Sequence, residues 1–184
     1  MNLPNKLTLF RIFLISVFVL LMEWPTSDGS RLLAYLACLV FVIASATDYL
    51  DGYLARRDNL VTNFGKFWDP LADKMLVLTA LIELAAAQVV PGFAVAIIVI
   101  RDLAVTGLRL LLVQDGEVMA AAWPGKVKTF TQMLAIIFLL VDDGPLSVLP
   151  FSLGQVFFYL AVIFTIYSWI DYFWKNRHVF SDFS

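Results

Sequence analysis

Long apolar stretches alternate with short polar clusters along the 184-residue chain. A transmembrane helix needs about 20 mostly apolar residues. Stretches of this kind fall at residues 7–24, 31–56, 67–88, 91–114, 122–141 and 149–174. Polar or helix-breaking segments separate them, at 25–30, 56–66, 91–92, 114–117 and 142–145. The pattern predicts an all-α integral membrane protein with six transmembrane helices, forming a single domain over residues 1–184.

Composition agrees with a membrane protein. Hydrophobic residues make up 61% of the chain and charged residues only 15%, whereas a soluble domain carries about 25% charged residues. The one cysteine, Cys38, lies within an apolar stretch and has no partner for a disulfide or a CxxC motif. We therefore expect it to be a small buried side chain. The net charge of −2 says little about partners, and no nucleic-acid partner is expected.

The placement of positive charge predicts the orientation. With six spans, both termini lie on the same side as the segments around 56–66 and 114–124. Of the 13 lysines and arginines, all but Arg31 and Arg101 lie on that side or near it. Cytoplasmic segments are enriched in these residues. Both termini are therefore predicted to be cytoplasmic.

Two pairs of aspartates lie where the second predicted span ends and the third begins. Asp48 and Asp51 are three residues apart, and Asp69 and Asp73 are four apart. On a helix, either spacing places both side chains on one face. The short connection makes the two helices antiparallel neighbours. We therefore expect the pairs to face each other, near the cytoplasmic edge of the membrane.

Four carboxylates at this depth need compensation. A charged residue at the centre of a transmembrane helix costs about 2.5–3.5 kcal/mol, less near the interface, and like charges repel. All-oxygen ligands suit Mg²⁺ or Mn²⁺, and two ions could act as a clamp on a phosphoryl transfer. A structural ion-pair cluster would need nearly as many basic partners, and an EF-hand would need acids at alternate positions. Intramembrane acids are functional by default.

Small and basic residues accompany the aspartates. Gly52 and Ala55 would let a nucleotide approach the helix closely, although tight helix packing explains them equally simply. Arg56 offers a planar fork for a pyrophosphate.

The full motif, D-x2-D-G-x2-A-R-x8-G-x3-D-x3-D over residues 48–73, resembles the signature of the CDP-alcohol phosphotransferases at all eight fixed positions. The resemblance implies that two divalent ions, Mg²⁺ or Mn²⁺, are bound by the four aspartates, and that Asp73 is the catalytic base. It implies that the CDP site includes Gly52, Ala55, Arg56 and Gly65. It also implies a homodimer.

Other segments are similar to the bacterial phosphatidylglycerophosphate synthases of this family, at residues 2–11, 69–74, 101–109 and 125–132. This similarity implies CDP-diacylglycerol as the donor, glycerol 3-phosphate as the acceptor, and a bacterial cytoplasmic membrane enzyme whose active site faces the cytoplasm. It adds Asn5 and Thr8 as candidates for the CDP site, where helix capping would explain them as well. Asp102 departs from the glutamate more often expected there, which puts only the local ion pairing in doubt.

Basic residues in the fourth and fifth spans predict the acceptor site. Arg101 and Arg109 share a broad face of the fourth helix with Thr106, and Lys126 and Lys128 begin the fifth. A phosphorylated acceptor is close to a dianion and needs such a pocket. The alternatives are the positive-inside rule for Arg109 and the lysines, and a hydroxyl bonded to its own helix for Thr106.

Two other functions stay open. The same chemistry could use inositol phosphate, phosphatidylglycerol or serine as the acceptor. A small cation transporter is the second alternative, but transport sites usually lie near the membrane midplane between repeats. The aspartates are predicted at one interface, and the sequence has no evident repeat.

Overall fold

The computed structural model describes residues 3–24, 31–57, 63–114, 123–141 and 152–175. Within these ranges the described side chains leave out residues 3–6, 8, 48–57, 63–73, 109–114 and 124. The described residues form helices and no strands. The helices are α1 (Leu3–Glu23), α2 (Arg31–Arg57), α3 (Asn63–Ala86), α4 (Gly92–Gln114), α5 (Trp123–Leu140) and α6 (Leu153–Lys175). The prediction of an all-α protein is confirmed.

Most helix ends lie within a few residues of their predicted positions, and hydrogen bonds at the first turn explain two of the starts. The amides of Ala94 and Val95 donate to the carbonyl of Pro91, at 3.1 and 3.3 Å, which fixes the beginning of α4. The hydroxyl of Ser152 accepts a hydrogen bond from the amide of Gln155 at 3.3 Å. A serine in this position caps a helix, so α6 begins at Leu153 rather than at the predicted residue 149.

The turn between α3 and α4 is held by backbone and side-chain bonds. Gln88 adopts a left-handed conformation, with φ of 60°. The next amide, that of Val89, donates to the carbonyl of Leu84 at 2.9 Å. The side-chain amide of Gln155 donates to the carbonyl of Val89 at 2.7 Å. This last bond ties the start of α6 to the turn, so three helix ends are fixed together.

The buried core draws apolar side chains from all six helices. Phe18 of α1 packs against Phe41 of α2 with ring centroids 6.3 Å apart. Leu81 and Ile98 are fully buried. Cys38 is buried and free, as predicted. The core extends along the helices, and the polar site lies at one end of it.

The helices also carry large apolar side chains outward. Phe13, Phe93, Leu103 and Ile163 are each more than half exposed. In the described part of the chain, α6 is the one helix that is long and apolar enough to cross a membrane, judged by length and composition alone. Arg31–Thr47 is a shorter apolar segment. The six-span topology and the orientation of the termini therefore stay predictions.

Candidate active site

A cavity of about 500 Å³ lies between α3, α4, α5 and α6. Four cationic side chains and one carboxylate line it. Its walls are formed by Lys74, Val77, Arg101, Asp102, Val105, Gly125, Lys126, Lys128, Thr129, Phe130, Gln132, Met133, Ser168 and Tyr172. A concave site with this balance of charge attracts small anions.

Asp102 is the anionic centre of the cavity wall. Its Oδ1 accepts hydrogen bonds from Arg101 Nη1 at 3.1 Å and from Lys128 Nζ. Arg101, Asp102 and Lys128 are 9%, 5% and 2% exposed. Burying charges is costly unless they are paired, and here one carboxylate serves two cations. The triad therefore carries a net positive charge that is available to a ligand.

Lys74 connects the carboxylate motif to this cavity. It follows Asp73 directly in α3, and its Nζ donates to Thr106 Oγ1 on α4. Thr106 in turn donates to the carbonyl of Asp102 at 2.6 Å. The last aspartate of the motif is thus one residue away from a side chain that lines the cavity.

The beginning of α5 lies close to Arg101. A Cβ added at Gly125 would lie 3.9 Å from Arg101 Nη2. Lys126 and Lys128 follow within the same turn, and both line the cavity. Positive charge therefore reaches the site from three helices: α3, α4 and α5.

Two buried donors in the cavity wall have no hydrogen-bond partner among the described residues. They are Arg101 Nε and Gln132 Nε2. An unsatisfied buried polar group costs about 1–3 kcal/mol, and such groups are rare in folded proteins. A bound ligand rich in oxygen atoms would satisfy both.

The structure brings together only part of the predicted acceptor site. Arg101, Lys126 and Lys128 line the cavity. Thr106 does not line it and instead bonds to its own helix and to Lys74. The helical backbone of Arg109 is described, but its side chain lies outside the described set.

Sequence reasoning missed five polar residues of the wall: Lys74, Thr129, Gln132, Ser168 and Tyr172. A signal for Gln132 was available, because it lies four residues after Lys128 and so shares its helical face. Ser168 and Tyr172 are also four residues apart. Their helix is the most apolar of the chain by composition, and only its packing against α4 and α5 shows that this face meets the cavity.

The predicted metal and nucleotide residues lie in described helices, but their own side chains are outside the described set. Asp48, Asp51, Gly52, Ala55 and Arg56 are in α2, and Gly65, Asp69 and Asp73 are in α3. Asn5 and Thr8 are in α1. Among the described side chains no group of three or more His, Cys, Asp or Glu residues gathers, but the four aspartates were not among those searched.

The backbone around the aspartates keeps the helical spacing on which the prediction of a metal site depends. α2 continues as a helix to Arg57, and α3 is helical from Asn63, so each aspartate pair has the helical spacing that places it on one face. The two helices pack against each other. Carboxylates are ligands that hard divalent cations prefer, and the metal site itself stays a prediction.

The fold and the cavity define a helical protein with a cationic cavity beside α3, the helix that carries Asp69 and Asp73 of the four-aspartate motif. The chain belongs to the CDP-alcohol phosphatidyltransferase family, whose sequence model matches residues 1–167. This confirms the family predicted from the motif.

Individual relatives cover nearly the whole chain. A CDP-diacylglycerol–glycerol-3-phosphate 3-phosphatidyltransferase of Bacillus subtilis (strain 168) is 48% identical over 183 residues, 95% of each chain. A protein of the same name from Rickettsia typhi is 38% identical over 173 residues, 94% of this chain and 95% of the relative. A probable phosphatidylglycerophosphate synthase of Mycobacterium tuberculosis (strain H37Rv) is 39% identical over 172 residues, 93% and 79% of the two chains.

Proposed function

We propose that this protein transfers the phosphatidyl group of CDP-diacylglycerol to glycerol 3-phosphate, giving phosphatidylglycerophosphate and CMP. The observation that carries the proposal is the cationic cavity joined to the carboxylate motif through Lys74. The relatives named for this reaction support the same acceptor.

The cavity supports a phosphorylated acceptor in particular. Arg101 Nε has no partner among the described residues, and Arg101, Lys126 and Lys128 all line the cavity. A phosphate dianion would receive charge-assisted hydrogen bonds from this set. Arg109 extends the set in our proposal. Thr106 acts indirectly, because it holds Lys74 in place.

The acceptor's primary hydroxyl would then point toward the motif on α3. Asp73 accepts its proton. The alkoxide oxygen forms a bond to the lipid-linked phosphorus of CDP-diacylglycerol, and the bond from that phosphorus to the CMP oxygen breaks. Positioning of the two substrates and electrostatic stabilisation supply most of the rate enhancement in such transfers.

Asp48, Asp51, Asp69 and Asp73 would hold two divalent ions, Mg²⁺ or Mn²⁺. When bound, such ions neutralise the pyrophosphate and stabilise the charge that develops on the leaving group. Arg56 adds a bidentate contact to the nucleotide phosphates. Close approach of the nucleotide is allowed by Gly52, Ala55 and Gly65, and Asn5 and Thr8 complete the proposed CDP site.

We further propose that all six helices cross a bacterial cytoplasmic membrane, with both termini and the active site on the cytoplasmic side. The large exposed apolar side chains support this topology, as do the length and apolar composition of α6. CDP-diacylglycerol would enter from the lipid, and glycerol 3-phosphate from the cytoplasm. A homodimer is the proposed assembly.

An acceptor panel tests this function directly. The purified protein in detergent is given CDP-diacylglycerol, Mg²⁺ or Mn²⁺, and one acceptor at a time: glycerol 3-phosphate, inositol phosphate, phosphatidylglycerol or serine. We expect CMP release with glycerol 3-phosphate. Turnover with serine alone would contradict the role given to the cationic cavity. Turnover with inositol phosphate alone would show that inositol phosphate, and not glycerol 3-phosphate, is the acceptor.

A further inference from the structure

Gln132 is a buried amide in the cavity wall that the roles assigned above do not use. It lies in α5 and is only 1% exposed. It lines the cavity, yet its Nε2 has no hydrogen-bond partner in the described part of the chain. A long polar side chain left in this state is destabilising unless a ligand completes its bonds.

The neighbouring polar side chains behave differently. Thr129 donates to the carbonyl of Gly125 at 3.1 Å, and Thr131 donates to that of Lys128 at 2.9 Å. Across the cavity, Ser168 donates to the carbonyl of Thr165 at 3.1 Å. These hydroxyls are satisfied by their own helices. Gln132 differs from them because its own helix does not satisfy its Nε2 donor.

The position of Gln132 relative to Lys128 indicates which part of a ligand it would meet. The two residues are four apart on α5, which corresponds to about 6 Å along the helix axis. A phosphate at Arg101 and Lys128 would leave the carbon skeleton of a small acceptor within reach of the Gln132 amide. An amide can both donate to and accept from a hydroxyl.

We propose that Gln132 is a specificity-determining residue that hydrogen-bonds the secondary hydroxyl of the acceptor. This inference rests on the proposed function and deepens it. The site would select a phosphorylated vicinal diol over a phosphorylated alcohol that has only the reacting primary hydroxyl. A site built to hydrogen-bond a substrate hydroxyl rejects an analogue that lacks it, because its polar group is then left unpaired.

The test compares two acceptors that differ only in that hydroxyl, glycerol 3-phosphate and 3-hydroxypropyl phosphate. We measure kcat/KM of the full-length protein for each. The wild type is expected to prefer glycerol 3-phosphate by about tenfold or more, since one hydrogen bond is worth about 0.5–1.5 kcal/mol and an unpaired partner adds to this. Equal use of both acceptors by the wild type would overturn the proposal without any variant.

Substitution then locates the preference. Gln132→Met keeps the length of the side chain and removes its hydrogen bonds, so the preference is expected to fall to within about threefold. Gln132→Leu, measured in parallel, should do the same. A general loss of folded protein lowers both rates together and leaves their ratio unchanged, so the ratio reports on the contact alone.

The control is Thr131→Val, a polar-to-apolar change at the buried residue directly before Gln132. Thr131 does not line the cavity. This variant should keep the wild-type ratio. An unchanged ratio in both Gln132 variants, or equal loss of both acceptors, would assign Gln132 a packing role and overturn the inference. Absence of turnover with glycerol 3-phosphate in the wild type would instead refute the proposed function itself.

Discussion

Lys128 on α5 donates a hydrogen bond to the carboxylate of Asp102 on α4, and both residues are almost fully buried. The same carboxylate oxygen accepts a hydrogen bond from Arg101 Nη1. One acid therefore fixes two cations of the proposed acceptor site and joins two helices. Asp102, which stands where a glutamate was more often expected, therefore holds both cations of this pocket in place.

Removing that acid should destabilise the protein. Asp102→Ala leaves Arg101 and Lys128 as uncompensated buried charges, and we expect a loss of about 3–5 kcal/mol in the free energy of unfolding. Asp102→Glu should recover most of it. The measurement is thermal unfolding in detergent, with the KM for glycerol 3-phosphate as the functional readout.

A matched control for Asp102 is available in α6. Asp171 pairs with Lys175 at 2.8 Å, but the lysine side chain is 65% exposed. A surface pair of this kind is worth about 0–1 kcal/mol, so Asp171→Ala should change stability little. Equal effects of the two substitutions would contradict the importance given to burial.

Arg101→Met should weaken acceptor binding selectively. A hydrogen bond to a charged group contributes about 1.5–3 kcal/mol, so the KM for glycerol 3-phosphate is expected to rise roughly 10- to 100-fold. The KM for CDP-diacylglycerol should change much less. Lys175→Met, which removes an exposed cation from α6, serves as the control; a comparable rise there would indicate a general charge effect.

Asp73→Asn should abolish CMP formation while the protein remains folded. Loss of a general base lowers rates by about 10²–10⁴-fold, and loss of a proposed metal ligand adds to this. Glu83→Gln removes another acid of the same helix outside the motif and should keep activity. Retained turnover in the asparagine variant would exclude Asp73 as the base.

Chelation should reveal the metal requirement. EDTA is expected to stop CMP release, and added Mg²⁺ or Mn²⁺ should restore it, because four carboxylates on two adjacent helices favour hard divalent cations. Full activity in the presence of excess chelator would contradict the metal site. Comparing the two ions at equal free concentration shows which supports the faster rate.

Two glycines near helix starts should respond oppositely to alanine. A Cβ at Gly154 would lie 2.7 Å from the Leu139 side chain and 2.9 Å from its backbone nitrogen, so Gly154→Ala should cost about 1–3 kcal/mol. Nothing lies within 4 Å of the corresponding position at Gly92, so Gly92→Ala should be neutral or stabilising. Thermal unfolding of both variants is the measurement. An unchanged stability of Gly154→Ala would show that α5 and α6 can move apart at this position.

The apolar stretches and the helix-breaking residues between them predicted the helices, because both act over a few neighbouring residues. The apolar stretches and the separators such as Pro91-Gly92 fix where helices run, and the structure moves most ends by only a few residues. The start of α6 depends on a side chain rather than on apolar periodicity, because Ser152 caps the helix. Helical spacing likewise allowed the aspartate pairs to be recognised before any packing was known.

The sequence by itself determined the helical class, the carboxylate motif and the family, because each depends on spacing within one or two neighbouring helices. Only the tertiary structure decided which side chains share the cavity. Ser168 and Tyr172 come from a helix far along the chain, and Gln132 becomes notable through burial without a partner. The pairing of Asp102 with Lys128 across 26 residues is likewise a result of helix packing. Packing brings distant segments together, and no local pattern encodes that.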